Sequence, residues 1–317
     1  DLEYRNVAAL PDRYVQTNCS FRVDGERKIE RWDPVTGEIT PVNVYKQGEN
    51  TFTLPVTLEP EGASFYVFRK TSTSEANTIT QIEKDGKVLT LGNTPFTTGD
   101  SEVFVRDNEL EVLQGGKYSL TLKDDKKMIV EAFETTEDLQ IQGPWKVTFQ
   151  EEPLLGEPFS ATFDKLMSWT ESEQRRIKYF SGTALYEKQI MTGEWDPSEG
   201  RAYLNLGKVG DMATVKLNGK EVCTLWKPPY IADITDHLIE GENNLEVEVT
   251  NLWINRMVGD EQLPPEERKT ETNLRNIEGR YSFERFSRPD ADKYLRYSGL
   301  MGPVKIQFSG VYDIYSQ

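Results

Sequence analysis

Residues 245–249 read Leu-Glu-Val-Glu-Val, apolar and acidic side chains in strict alternation, which is the period of a strand with one buried face. The same period surrounds Asn218-Gly219, where Val215, Leu217, Val222 and Leu225 flank a dipeptide that supplies the positive φ angles of a type I′ hairpin. Short runs of this kind fill the chain. Residues 15–23, 29–32, 39–45, 51–58 and 64–69 predict five strands, separated by turns rich in Gly, Pro, Asp and Asn, Lys-Gln-Gly-Glu-Asn (46–50) among them. Residues 79–83, 87–91, 103–106, 109–113, 118–122 and 128–133 predict six more, the last two joined as a hairpin at Asp124-Asp125-Lys126. The final stretch predicts strands at 145–149, 161–163, 179–190, 202–206, 214–226, 230–234, 245–251 and 304–308, eight being the jelly-roll number.

Half-buried strands without intervening helices mean an all-β protein of antiparallel β-sandwich domains. Polar breaks at Thr71-Ser72-Thr73-Ser74 and at residues 134–138 place three domains, at 1–72, 73–140 and 141–317. The first holds five strands where a sandwich wants about seven, so further strands are expected upstream of Asp1 or in the first dozen residues. The second, immunoglobulin-like in size, is small for a core of its own and is expected to pack on a neighbour. Residues 255–297 form a polar insertion longer than the usual upper limit of about 12–15 residues for a loop, hence either functional or poorly ordered. Within it, Pro264-Pro265 suits the start of a short helix.

The order of three segments carries a resemblance. Leu-Asn-Gly-Lys-Glu-Val (217–222), Pro-Pro-Tyr (228–230) and DITDHLIEGENNLEVEVTN (233–251) together resemble the sugar-binding, galactose-binding-like jelly roll of glycoside hydrolase family 2 and related families. LWINRMVGDEQLPPEER (252–268) and YSGLMGPVKI (297–306) are similar to the C-terminal end of glycoside hydrolase family 106, the α-L-rhamnosidases. Upstream, CSFRVDGERKIERWDPVTGEITPV (19–42) and GASFYVFRK (62–70) resemble the strands that follow the catalytic barrel there, and GPWKVTF (143–149) the start of the last domain.

The resemblance covers most of the chain. It implies a C-terminal galactose-binding-like jelly roll and a non-catalytic, carbohydrate-binding accessory region of a glycoside hydrolase acting on plant or host glycans. Its implied partners are carbohydrate and an N-terminal catalytic domain of the parent, and its implied location is periplasmic or extracellular. Two other readings stay open: a free-standing carbohydrate-binding protein, and a structural β-sandwich interaction module with no glycan ligand.

Composition narrows the alternatives. The 317 residues carry 53 acidic and 37 basic side chains, a net charge of −16 that repels phosphate backbones and anionic lipid headgroups, so neither nucleic acid nor a membrane surface is an expected partner. Mean hydropathy is −0.61, and no run of about 18 apolar residues is present for membrane insertion. The chain begins at Asp1 without Met or a signal sequence, as expected of a processed product or a piece of a longer protein. Cys19 and Cys223, far apart and in no CxxC spacing, read as buried free thiols.

Catalytic templates fail on inventory. Glycosidases need two carboxyl groups across the scissile bond, about 5 Å apart in retaining enzymes and about 6.5–9.5 Å in inverting ones. No acidic residue sits in a context like the barrel-borne acid and base of family 106, and no alternation of strand and helix supplies a barrel, so no catalytic residue is expected. The single histidine, His237, reads as a turn residue rather than a general base. Gly-Lys-Val-Gly-Asp (207–211) reads as a turn between strands, not a phosphate loop. Too few ligands exist for zinc, and no cofactor is implied; the many acidic loops leave a structural calcium open, with no residue to place it.

Sugars present apolar C–H faces rimmed by hydroxyls, so their sites pair a flat aromatic ring with a few fixed polar groups. Trp226, Pro228, Pro229 and Tyr230, then Trp253, Asn255, Arg256, Gly259 and Asp260, and Tyr297, supply those types. The same residues have a structural reading, in which the tryptophans cap the core and Arg256 with Asp260 forms an internal ion pair. A second cluster, Tyr281, Phe283, Arg285, Phe286, Arg288, Tyr294, Arg296 and Tyr297, interleaves aromatics with arginines as in interfaces, and is expected to dock on the parent's other domain.

Overall fold

A computed structural model describes residues 14–60, 62–71, 78–89, 103–133, 135–150, 157–198, 200–270, 286 and 289–315. The chain divides into two compact units, one of residues 1–137, 196–202 and 308–317, the other of residues 138–195 and 203–307. Strand follows strand in antiparallel register throughout the named pairings, so the protein is all-β, as the alternation predicted.

In the first unit, β1 (Val15–Arg22), β4 (Lys46–Gln47) and β5 (Thr51–Leu58) form one sheet, in the order β1-β5-β4. A second sheet consists of β2 (Arg27–Trp32), β3 (Ile39–Pro41) and β6 (Phe65–Lys70), in the order β3-β2-β6. Alternation in β5 sends Phe52, Leu54 and Val56 inward, where they meet Ile29 and Tyr45, with Cys19, Phe21 and Phe68 packed alongside. Residues 46 and 47, expected in a turn, are strand β4 instead: Gly48 closes the turn by donating its N–H to the Thr51 carbonyl, so pairing with β5 begins two residues early. The strand expected at 39–45 ends at Pro41, with Val44 making an isolated bridge to Ile79.

A second core in this unit gathers Ile79, Ile82, Leu110, Val112, Tyr118, Leu120 and Val130. They come from β7 (Ile79–Lys84), β10 (Glu109–Val112), β11 (Gly116–Leu122) and β12 (Lys127–Ala132); β9 (Val103–Arg106) adds Val103, and the exposed β8 (Lys87–Val88) pairs with β7. Asp125 has φ 62° in the β11–β12 turn, where the hairpin was expected. Residues 1–13, 72–77 and 90–91, on which the extra strands, the linker and the end of the 87–91 strand were expected, lie outside the described residues.

The second unit is built on a six-stranded sheet in the order β15-β14-β16-β22-β19-β20. These strands are β14 (Trp145–Phe149), β15 (Phe159–Phe163), β16 (Thr183–Thr192), β19 (Met212–Leu217), β20 (Lys220–Leu225) and β22 (Gly241–Thr250). Its inward faces bury Trp145, Val147, Phe149, Tyr186, Val215, Leu217, Val247 and Val249. Shorter strands complete the unit: β13 (Leu139–Ile141), β18 (Lys208–Gly210), β21 (Ile231–Asp233) and β23 (Gly299–Gly302), with residues 203–205 of β17 (Gly200–Asn205) and 304–307 of β24 (Val304–Asp313). The Tyr186 hydroxyl ties the layers together by accepting bonds from the indole Nε1 of Trp169 at 2.6 Å and the Leu300 N–H at 3.1 Å. Asn218 and Gly219 have φ 54° and 75° in the β19–β20 turn, the two left-handed residues the dipeptide was read to supply.

Three expectations change here. Residues 207–211 are not only a turn, because Lys208–Gly210 is the short strand β18 paired with β23. Tyr179 does not open a strand: it caps a one-turn helix, α1 (Arg175–Lys178), and regular pairing starts at Thr183. An eight-residue helix, α2 (Ile254–Glu261), precedes the 3-10 turn Pro265–Glu267 that the prolines start. α2 forms because Ile254, Met257 and Val258 lie on one face and find a satellite core with Tyr179, Phe286, Ala291 and Tyr294. Gly259 is required at that contact, since a Cβ there would sit 2.5 Å from the Cβ of Tyr179.

Candidate carbohydrate-binding site

The strand ends bring the expected aromatic residues to Gly210–Met212. Met212 pairs with Thr250 and Ala213 with Leu225, so Trp226 follows directly beside Met212 and Asn251 beside Asp211, with Leu252 one residue on. The Leu252 N–H donates to the Asp211 carboxylate at 3.2 Å, and the Tyr230 hydroxyl donates to the Asp211 carbonyl at 2.7 Å. Gly210 lies against the Tyr297 carbonyl, where a Cβ would come within 2.5 Å. Around this junction Trp226 is 51% exposed, Trp253 45% and Tyr297 71%, together with Met212 and Leu252. Large aromatic side chains left this open are candidates for a flat ligand.

The polar members of the expected set divide from the aromatic ones. Asn255 is 1% exposed: its Nδ2 donates to the Arg296 carbonyl and to Ser298 Oγ, both at 2.8 Å, and its Oδ1 accepts from the Arg296 N–H at 2.8 Å. Asp260 is equally buried, with one carboxylate oxygen on Arg256 Nη2 at 2.9 Å and the other accepting from the Lys269 and Thr270 N–H groups. Their hydrogen bonds hold α2 to residues 269–270 and 296–298, so the internal ion pair of the structural reading is present. Ser298 adds to the network by accepting from Asn251 Nδ2 at 3.0 Å and donating its N–H to Ser168 Oγ at 3.1 Å. Pro228 and Pro229 are half-buried.

Sequence reasoning missed Asp211. Burial pushes its carboxyl above the ordinary carboxylate range, against the opposing pull of the Leu252 N–H and the Arg296 charge. A raised folded value means that the folded state binds the proton more tightly than the unfolded chain. The group's contribution therefore falls as pH rises from about 3.9, the unfolded value, through the folded value, and stays unfavourable at neutral pH. Asp211→Asn keeps an acceptor for Leu252 and removes the charge. Thermal melts should show a higher Tm than wild type at pH 7, with the gap closing under acid conditions; a lower Tm at pH 7 would refute this account.

The remaining expectations fall elsewhere. Cys19 and Cys223 are free but half-buried rather than buried, because both lie near the rims of their sheets. Burial, then Glu221 and Asp233, push the Cys223 thiol up to about 11, which keeps it protonated and unreactive at neutral pH. His237 follows β21 in a turn, half-buried. Of the second cluster, Phe286 is 2% exposed and meets Tyr294 edge-on inside the satellite core, so these two anchor α2 rather than an external surface. Tyr281, Phe283, Arg285 and Arg288 lie outside the described residues. Among the described residues no three His, Cys, Asp or Glu side chains converge where a metal ion would sit, and no helix is long and apolar enough to cross a membrane.

Comparison with known proteins places the unit. Residues 150–285, most of them in the second unit, match the family described as glycosyl hydrolase 2 galactose-binding domain-like. A curated relative named "Putative beta-glucuronidase", from Formosa agariphila, is 34% identical over 261 residues, 78% of this chain and 22% of its own length. The solved rhamnosidase of Novosphingobium sp. PP1Y is similar at 26% identity with a TM-score of 0.60, over 94% of this chain and 22% of that one. The chain thus spans about a fifth of the length of each of these two proteins.

Proposed function

We propose that this chain is a carbohydrate-binding accessory region of a glycoside hydrolase that acts outside the cytoplasm on plant or host glycans, and that its parent is rhamnosidase-like. Three domains, at 1–72, 73–140 and 141–317, belong to this reading, supported by the separate apolar cores on either side of the first boundary. The similarity to a rhamnosidase over nearly the whole chain supports the parentage, and the galactose-binding-like domain supports the role. The observation that carries the reading is the exposure of Trp226, Trp253 and Tyr297, whose backbone segments meet Gly210–Met212 through the β19 pairings, the Leu252–Asp211 bond and the approach of the Tyr297 carbonyl to Gly210. Rings of this kind stack on the apolar face of a sugar, while Asp211 accepts hydroxyl protons. Tyr230 fixes the Asp211 backbone; Asn255, Arg256 and Asp260 position α2, the helix that Trp253 precedes.

Catalysis belongs to the parent's N-terminal domain in this reading, which predicts that the pure chain releases no p-nitrophenol from the aryl α-L-rhamnoside. Turnover above the buffer rate would overturn it.

A further inference from the structure

One turn along α2 from Trp253, three arginines line a groove of about 320 Å³. Arg175 and Arg176 reach it from α1 and Arg256 from α2, over a floor made by Gly259 and Tyr179, with Leu263 and Asp260 at the side. In a chain with 53 acidic and 37 basic residues, three arginines against one carboxylate is a local inversion of charge.

The donors are held in place and outnumber the acceptors. Arg175 is anchored by Nη2 on the Gly259 carbonyl at 2.7 Å and lies 4.7 Å from the Tyr179 ring centre. Arg176 is anchored on the Glu157 carbonyl and lies 3.7 Å from the Phe159 ring centre. Both side chains are exposed, and among the described residues neither has a carboxylate within ion-pair distance. Arg256 spends one nitrogen on Asp260, while its buried Nε meets no acceptor among the described residues. Asp260 offers nothing further, because its two oxygens already take Arg256 and two backbone N–H groups. Each guanidinium carries five N–H donors in a fixed fork that matches a planar oxyanion, and ring stacking with one anchored nitrogen removes much of the entropy cost of using the rest.

The geometry points to a subsite for an anionic saccharide, one bearing a carboxylate or a sulfate ester, whose charged group sits on Arg175, Arg176 and Arg256. The volume is at the lower end of ligand pockets, about 300–1,000 Å³, and suits one sugar ring. A protein partner fits less well, since interface cores are apolar and no exposed large hydrophobic side chain lines this groove. Trp253 and Arg256 are three residues apart on α2 and so share a face, which lets one oligosaccharide run from ring to groove. The inference rests on the carbohydrate-binding reading and adds the charge of the ligand.

The test is calorimetry on the full chain with five probes: an oligoglucuronate, a sulfated galactose oligosaccharide, a neutral oligosaccharide of equal length, a glutamate-rich peptide and sodium sulfate. At least one acidic saccharide should bind more tightly than the neutral one, weaken with added salt, and lose about tenfold or more in the Arg175→Ala/Arg176→Ala variant. Each substitution removes one bond to a backbone carbonyl and one ring contact at an exposed side chain, so circular dichroism should be unchanged and Tm should fall by a few degrees at most. An Arg175→Lys/Arg176→Lys variant, which keeps charge but not the fork, should recover only part of the affinity. Equal affinity for neutral and acidic probes, or acidic binding unaffected by the double variant, would overturn the proposal. So would a glutamate-rich peptide, or sodium sulfate alone, binding as tightly as the acidic saccharide. Neutral binding that depends on Trp253 but not on the arginines would leave the carbohydrate-binding reading standing and remove only this inference; no binding by any saccharide would remove both.

Discussion

Trp169→Ala should lower the stability of the second unit by about 3–5 kcal/mol, the range for deleting a fully buried large aromatic. Trp169 is 0% exposed and sits edge-on to Phe149 and Phe180, each 5.4 Å away between ring centres. Its Nε1 donates to Tyr186, whose hydroxyl also receives Leu300, so the indole is both filler and pin between β16 and β23. The fit is close: Gly299, at φ +90°, approaches so nearly that a Cβ would lie 2.3 Å from the indole nitrogen. Domains are stable by only about 5–15 kcal/mol, so the substitution removes a large share of the total. Urea unfolding should show a lower midpoint at unchanged slope; a loss below about 1 kcal/mol would mean that the indole is not the centre of this core.

Asn255→Ala should cost about 1–3 kcal/mol and weaken glycan binding without ever touching a ligand, because it leaves the Arg296 N–H without its acceptor, while the Arg296 carbonyl and Ser298 Oγ keep each other and Asn251. The Arg296 N–H and carbonyl and Ser298 Oγ all bond to this one side chain. Residues 296–298 carry Tyr297 and pass against Gly210, so freeing them loosens one edge of the aromatic patch. Hydrogen exchange should speed up at Arg296 while the β16–β22 ladder stays protected. Unchanged exchange at Arg296 would show that other contacts hold the segment.

The strands were readable because each buries one face. In Leu245–Val249 and Thr51–Leu58 the two-residue period is complete, and a left-handed turn such as Asn218-Gly219 fixes register locally. Elements whose partners are distant were not readable. Lys46–Gln47 has no apolar signal and is a strand only because β5 pairs with it. The helix α2 shows Ile254, Met257 and Val258 at helical spacing, yet its apolar face is narrow and its companions, Phe286 and Tyr294, lie some thirty to forty positions on. The site was half legible. Trp226, Trp253 and Tyr297 declare themselves by residue type, and their exposure follows from lying at strand and helix ends. Asn255 and Asp260 have the residue types of sugar contacts, but their bonds run to backbone groups 9 to 41 positions away, which no local pattern reveals. Asp211 stayed hidden for the same reason, since its environment is assembled by Leu252, Tyr230 and Arg296.

The most direct measurement is a calorimetric titration of the intact chain with plant-polysaccharide fragments, alongside the Trp226→Ala/Trp253→Ala variant. Both rings are already about half exposed, so the variant should keep its fold. The account predicts saturable heat for the wild type and none for the variant. Equal heats from the two proteins, or no saturable heat with any fragment, would contradict it.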